Sequence, residues 1–150
     1  MVINMKKLIA LICAGLTLAM LTSCVKKDEV NKDAVTIEIR CECEDIYQIY
    51  YTTYLGKESY GIGAVADIDG KKLTIDVPQK TVLTREYLKN GDVSKLVMDF
   101  SPYGKDDKSE QGTTNKLEIP AEYGKTYTVH ISGDKQNGFK AVLAHSEVVK

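Results

Sequence analysis

The residues able to do chemistry are few and scattered. Cys41 and Cys43 stand two apart in an alternating stretch, and His130 and His145 are the only imidazoles that could join them around a metal. Zinc asks for four such ligands. In an extended strand, residues two apart point the same way and sit about 6.6–7 Å apart. A disulfide needs Cβ atoms about 3.5–4.5 Å apart. The pair is therefore expected as two buried free thiols packed as small hydrophobes, with no metal and no cofactor. Asp67-Ile68-Asp69-Gly70 echoes a calcium loop, but such a loop carries glutamate at its twelfth position, and counting from Asp67 gives Pro78. A hairpin turn explains the same residues. Gly61-Ile62-Gly63 is a Gly-x-Gly inside a strand, accounted for by close packing under Tyr50. No Gly-x-Ser-x-Gly elbow, complete Gly-x-x-x-x-Gly-Lys-Ser/Thr phosphate loop or His-Glu-x-x-His occurs in the sequence, so no catalytic residue emerges.

Recognition is better supported than catalysis. With nine tyrosines and no tryptophan, the aromatic surface of this chain is mostly phenolic. Where Tyr47 and Tyr51 face a core, Tyr50 and Tyr54 face away from it, beside Gln48, Thr52, Ser59 and Gly61. Rings with a polar tip favour interfaces. Such a face suits stacking on sugar rings or contact with an envelope protein; the plainer alternative is that cross-strand packing covers it. Tyr103, in a polar loop expected over residues 101–115, is the third candidate binding residue, since long loops often carry binding.

The first residues give an address. Lys6 and Lys7 precede an uncharged apolar run from Leu8 to Leu21, the pattern of a secretion signal. The run is about fourteen residues, short of the roughly twenty a membrane span needs. Met5-Lys6-Lys7-Leu8 is an alternative start to Met1. Leu21-Thr22-Ser23-Cys24 resembles the lipobox of bacterial lipoproteins. That resemblance implies a diacylglycerol on the Cys24 thiol, removal of residues 1–23, and a domain held on the cell membrane or outer membrane, facing away from the cytoplasm. Stable anchoring takes more than one acyl chain, which that modification supplies. Residues 24–33, charged and polar, read as a flexible tether. Lys27-Asp28-Glu29 is similar to an acidic surface-export signature of some diderm lipoproteins, and Val25 is not the aspartate of an inner-membrane retention signal.

Cleavage leaves 150 − 23 = 127 residues and a net charge of 18 − 21 = −3. That is enough chain for one domain with a core, expected over 34–150, and it lacks the basic stripe of a nucleic-acid binder.

The elements that would position these residues are strands. Val35, Ile37, Ile39, Cys41 and Cys43 share one face, with Thr36, Glu38, Arg40 and Glu42 on the other, a half-buried strand. The alternation runs on through Tyr47, Ile49 and Tyr51, either as one bent strand or as two meeting near Glu44-Asp45. Leu55-Gly56-Lys57-Glu58 suits a two-residue hairpin that pairs Tyr51 with Ile62, Ile49 with Ala64 and Tyr50 with Gly63. Asp69-Gly70 suits a second hairpin, pairing Ala66 with Leu73 and Ile62 with Val77 and completing a three-stranded meander over 46–77. Residues 84–91 suit a short helix capped by Thr84. Strands follow over 95–100, 116–119, 126–132 and 139–144. Seven to eight short antiparallel strands predict an all-β sandwich. Leu117 to Ile131 resembles the corner strand of fibronectin type III and immunoglobulin-like domains, which implies that the Tyr127 hydroxyl bonds backbone just upstream.

Overall fold

The computed structural model describes residues 31–106 and 109–144. The expected signal peptide, Cys24, most of the expected tether and His145 lie outside these residues. The described chain is an all-β sandwich of two four-stranded sheets. The strands are β1 (Ala34–Cys41), β2 (Gln48–Leu55), β3 (Glu58–Ala66), β4 (Gln79–Thr84), β5 (Leu96–Tyr103), β6 (Leu117–Ile119), β7 (Thr126–Asp134) and β8 (Gly138–Leu143). One sheet runs β4-β1-β7-β8 and the other β3-β2-β5-β6.

Alternation decides which side chains enter the space between the sheets. Val35, Ile37, Ile39 and Cys41 face Ile49, Tyr51, Leu96, Met98 and Phe100 across the core, closed by Val129, Ile131, Leu83 and Ile119. Each such side chain contributes on the order of 1.5–3 kcal/mol by leaving water. Of the two alternatives for the run from β1 into β2, two separate strands form. Glu42 to Tyr47 turns the chain from one sheet into the other, with Asp45 at φ 55°. The last residues of the expected tether are bound to the domain, where Asp33 O accepts from Arg85 N at 2.9 Å and Ala34 N donates to Asn31 O at 3.1 Å.

Several expectations are corrected. The first is register. The hairpin closes at Leu55 and Glu58 as the sequence predicts, with Gly56 at φ 60°. A bulge then leaves Tyr60 without a partner, because Tyr54 pairs with Ser59 but Thr53 pairs with Gly61. One extra residue turns the rest of β3 over. Gly63 falls opposite Tyr51 and Ile62 opposite Thr52, so Ile62, Ala64 and Ala66 point to solvent and Val65 points in.

The second correction follows from the first. With its apolar side turned outward, β3 cannot continue the meander, and residues 72–77 form no strand. Asp67 Oδ1 instead accepts from the backbone N of Asp69 (2.9 Å) and Lys71 (3.3 Å). Leu73, buried, donates from its N to Ile46 O at 2.7 Å, and the chain crosses to the other sheet as β4. Residues 85–90, expected helical, make a single irregular turn. Thr84 Oγ1 accepts from Tyr87 N at 3.1 Å, the capping role expected of it, but Lys89 and Asn90 have positive φ, which ends the helix after one turn.

The third is strand direction. All pairings are antiparallel except β1 with β7, which is parallel. Parallel neighbours need a long connection, and here all of β2 to β6 supplies it. The corner tyrosine is as expected: Tyr127 Oη donates to Pro120 O at 3.1 Å and accepts from Glu122 N at 3.0 Å.

Candidate functional site

The outer face of the β3-β2-β5-β6 sheet brings Tyr50, Tyr54 and Tyr103 together. Two-residue periodicity places Tyr50, Thr52 and Tyr54 of β2 on this face, because Ile49, Tyr51 and Thr53 are buried. The ladder sets their neighbours. Tyr50 lies between Ala64 and Ser101, Thr52 between Ile62 and Asp99, Tyr54 between Ser59 and Val97, and Gln48 between Ala66 and Tyr103. Tyr50 and Tyr54, four residues apart, are separated by about 13 Å along the strand at about 3.3 Å per residue.

Each ring is held. The Tyr50 and Tyr103 rings meet with centroids 4.8 Å apart and planes tilted by 59°, a favoured aromatic geometry. Tyr103 Oη donates to Glu110 Oε2 at 3.3 Å, and Tyr54 Oη donates to Asp99 Oδ2 at 3.0 Å. Lys116 Nζ sits 4.0 Å from the Tyr54 ring centroid, a cation over an aromatic face. Desolvation first, and then the partner carboxylates, raise both hydroxyls above the ordinary tyrosine pKa, so they stay protonated donors at neutral pH. The apolar edge of the face is Ile62, 72% exposed, with Ala64 and Ala66 beside it.

Sequence reasoning placed Tyr50 and Tyr54 outward beside Gln48, Thr52 and Ser59, and missed Asp99 and Ile62. It put Tyr103 in a polar loop over residues 101–115. β5 nonetheless runs to Tyr103, past the end of β6, and there the returning chain bonds it: Gln111 N donates to Pro102 O (2.9 Å) and Thr114 N to Phe100 O (2.8 Å). Val97, Asp99, Ser101 and Tyr103 alternate with Leu96, Met98 and Phe100, and that signal was available. The exposure of Ile62 was hidden by the bulge.

Other chemistry-bearing residues stay apart. Cys41 and Cys43 are buried free thiols. The Cys41 side chain, burial and nearby acidic groups hold the Cys43 thiol well above the ordinary range. His130 is on the opposite, outward side of its sheet, with Nδ1 3.9 Å from Glu42 Oε1. Among the described residues, no group of three or more His, Cys, Asp or Glu could hold a metal, and no helix is long and apolar enough to cross a membrane. A cleft of about 970 Å³ at one end of the sandwich is lined by Glu42, Glu44, Asp45 and Asp134 beside Tyr47 and Phe139. The Asn137 side chain and the Asn137 and Gln136 amides hold the Asp134 carboxyl below the usual range.

No protein-family model matches the chain, and no curated protein sequence does. Among solved structures it is similar to an NMR structure of a protein from Eubacterium rectale. That likeness has 9% identity and a TM-score of 0.38, covers 81% of this chain and 97% of that one, and is too slight to carry an argument.

Proposed function

We propose that the chain is a membrane-anchored bacterial lipoprotein whose sandwich serves as a non-catalytic binding module of the cell envelope. The observation that carries the binding role is the convergence of Tyr50, Tyr54 and Tyr103 on one exposed sheet face, each ring fixed by a neighbour before any ligand arrives. Rings already ordered lose little rotamer freedom on binding, which is where much affinity is otherwise spent. The anchor rests on Leu21-Thr22-Ser23-Cys24. A Cys24→Ser variant that still partitions with membranes removes that half of the reading.

The binding half is tested by a pull-down from cell envelope with residues 25–150, run before and after exhaustive protease treatment of the envelope. Retention weakened by Tyr50→Ala with Tyr54→Ala supports the face as the site. Where retention survives protease the ligand is a glycan, and the protein acts as an adhesin or accessory factor; where it vanishes the ligand is a protein. Retention indifferent to both substitutions refutes the face.

A further inference from the structure

We infer that β3 is an edge through which two copies of this chain pair. The sheet orders leave β3, β6, β4 and β8 at edges, and an unpaired edge invites another strand unless it is blocked. Three of them are blocked. Against β8, the Asn115 side chain accepts from Ala141 N at 2.9 Å and donates to Ala141 O at 3.2 Å, standing where a neighbouring strand would. β6 has three residues and stops at Pro120. β4 carries Lys80, a charge of the kind that discourages pairing at an edge.

β3 is different. It has nine residues, and the six from Gly61 to Ala66 contain no charge and no proline. The Tyr60 bulge disturbs only its beginning. Among the described residues, β3 is paired only with β2. Beside this bare edge stands Ile62, the most exposed large aliphatic side chain within a strand, at 72%.

The pattern fits a second copy. Two identical strands related by a two-fold axis perpendicular to the sheet pair antiparallel, with residues of like parity opposed. Centred on Ala64, this sets Ile62 of each copy against Ala66 of the other, and Ala64 against Ala64, on the outer face. Gly63 meets Val65 on the inner face. Large side chains meet small ones, and no like charges oppose within the segment, which is what cross-strand pairing requires. The product is a continuous eight-stranded sheet with two tyrosine faces side by side. The pairing goes beyond the binding role proposed above and does not depend on it.

The test is cross-linking of the full chain in the cells that express it. On the axis, a Cys at position 64 faces its own copy with Cβ atoms about 4.5–5.5 Å apart, at the upper edge of the roughly 3.5–4.5 Å a disulfide needs, so a strand movement of about 1 Å or less closes it. Under mild oxidation Ala64→Cys is expected to give several-fold more disulfide dimer than Val142→Cys, a control on exposed β8. Ile62→Lys added to Ala64→Cys should return the dimer to the control level; Ala66→Lys replaces it should Ile62→Lys not fold. Tyr50→Ala with Tyr54→Ala should leave the cross-link unchanged, which separates this inference from the ligand face. A cross-link no stronger than the control's, or a monomer in sedimentation at high micromolar concentration, overturns it.

Discussion

Replacing Gly63 by alanine interrogates the register of β2 on β3 at a single atom. A Cβ at this position would overlap the Tyr51 ring, lying 2.7 Å from Cε2 and nearer still to Cζ and Oη. The backbone of β3 lifts, or the ring swings aside and breaks its 2.6 Å bond to Thr81 Oγ1, which ties the two sheets together. Forcing an extra carbon into a packed site costs about 1–3 kcal/mol, and the lost bond adds about 1 kcal/mol. Relief from glycine in a strand offsets roughly 0.5–1 kcal/mol. The net expectation is a loss of about 1–3.5 kcal/mol, a large share of the stability of a domain holding roughly 5–15 kcal/mol. Urea unfolding followed by circular dichroism measures it. In a Tyr51→Leu background the obstructing atoms are gone, so Gly63→Ala should be close to neutral, a strong coupling between neighbours. Tyr50→Leu should give no such rescue. A Gly63→Ala protein within about 0.5 kcal/mol of the parent, additivity with Tyr51→Leu, or rescue by Tyr50→Leu would each refute the bulged register.

Further outcomes follow from single residues. Thr53 is fully buried and its hydroxyl has no partner, so Thr53→Val should stabilise by about 1 kcal/mol in the same urea assay; destabilisation would mean the hydroxyl is bound. Tyr127→Phe removes two backbone bonds at the corner and should cost about 1–2 kcal/mol, with calorimetry as the readout. Cys41 and Cys43 should react with a thiol reagent only after denaturation and without prior reduction, since both are buried and free; thiols appearing only after reduction would reveal a disulfide. Asp134 has a depressed folded-state pKa. Its contribution is therefore present above the unfolded value of about 3.9 and lost as pH falls through the lower folded value, which an NMR titration of its carboxyl would locate below 3.8.

The legible parts of this fold were those in which one residue type decides the geometry. Alternation fixed β1, β5 and β7, because burying one face of a strand leaves no freedom of parity. Gly56 set the first hairpin, and the resemblance of Leu117 to Ile131 to a sandwich corner strand implied the Tyr127 bond. Tyr50 and Tyr54 were assigned outward on the same grounds. What failed was the transfer of register across a turn. Tyr60 carries no mark of a bulge, and once it is left unpaired every later residue of β3 reverses. The reversal hid the apolar rim of Ile62, Ala64 and Ala66, moved the glycine contact from Tyr50 to Tyr51, and removed the partner that residues 72–77 were expected to meet. Tyr103 was hidden by a different cause. Pro102 reads as a strand end, yet it still pairs with Ile49 in β2, and its carbonyl accepts from the returning Gln111 N. The parallel pairing of β1 with β7 has no local signature at all.

That parallel pairing gives the domain an order of assembly. Among the described residues β1 is the first strand to be made, and it is a central one in its sheet, flanked by β4 on one side and β7 on the other. Until residue 126 and beyond are present, one edge of β1 stays bare and Val35, Ile37 and Ile39 lack the cover of Val129 and Ile131. Closing such distant contacts is slow and comes late. A chain emerging end-first from a narrow passage cannot lock this sheet behind itself; it stays pliable until its last strands are through, and then sets as a unit.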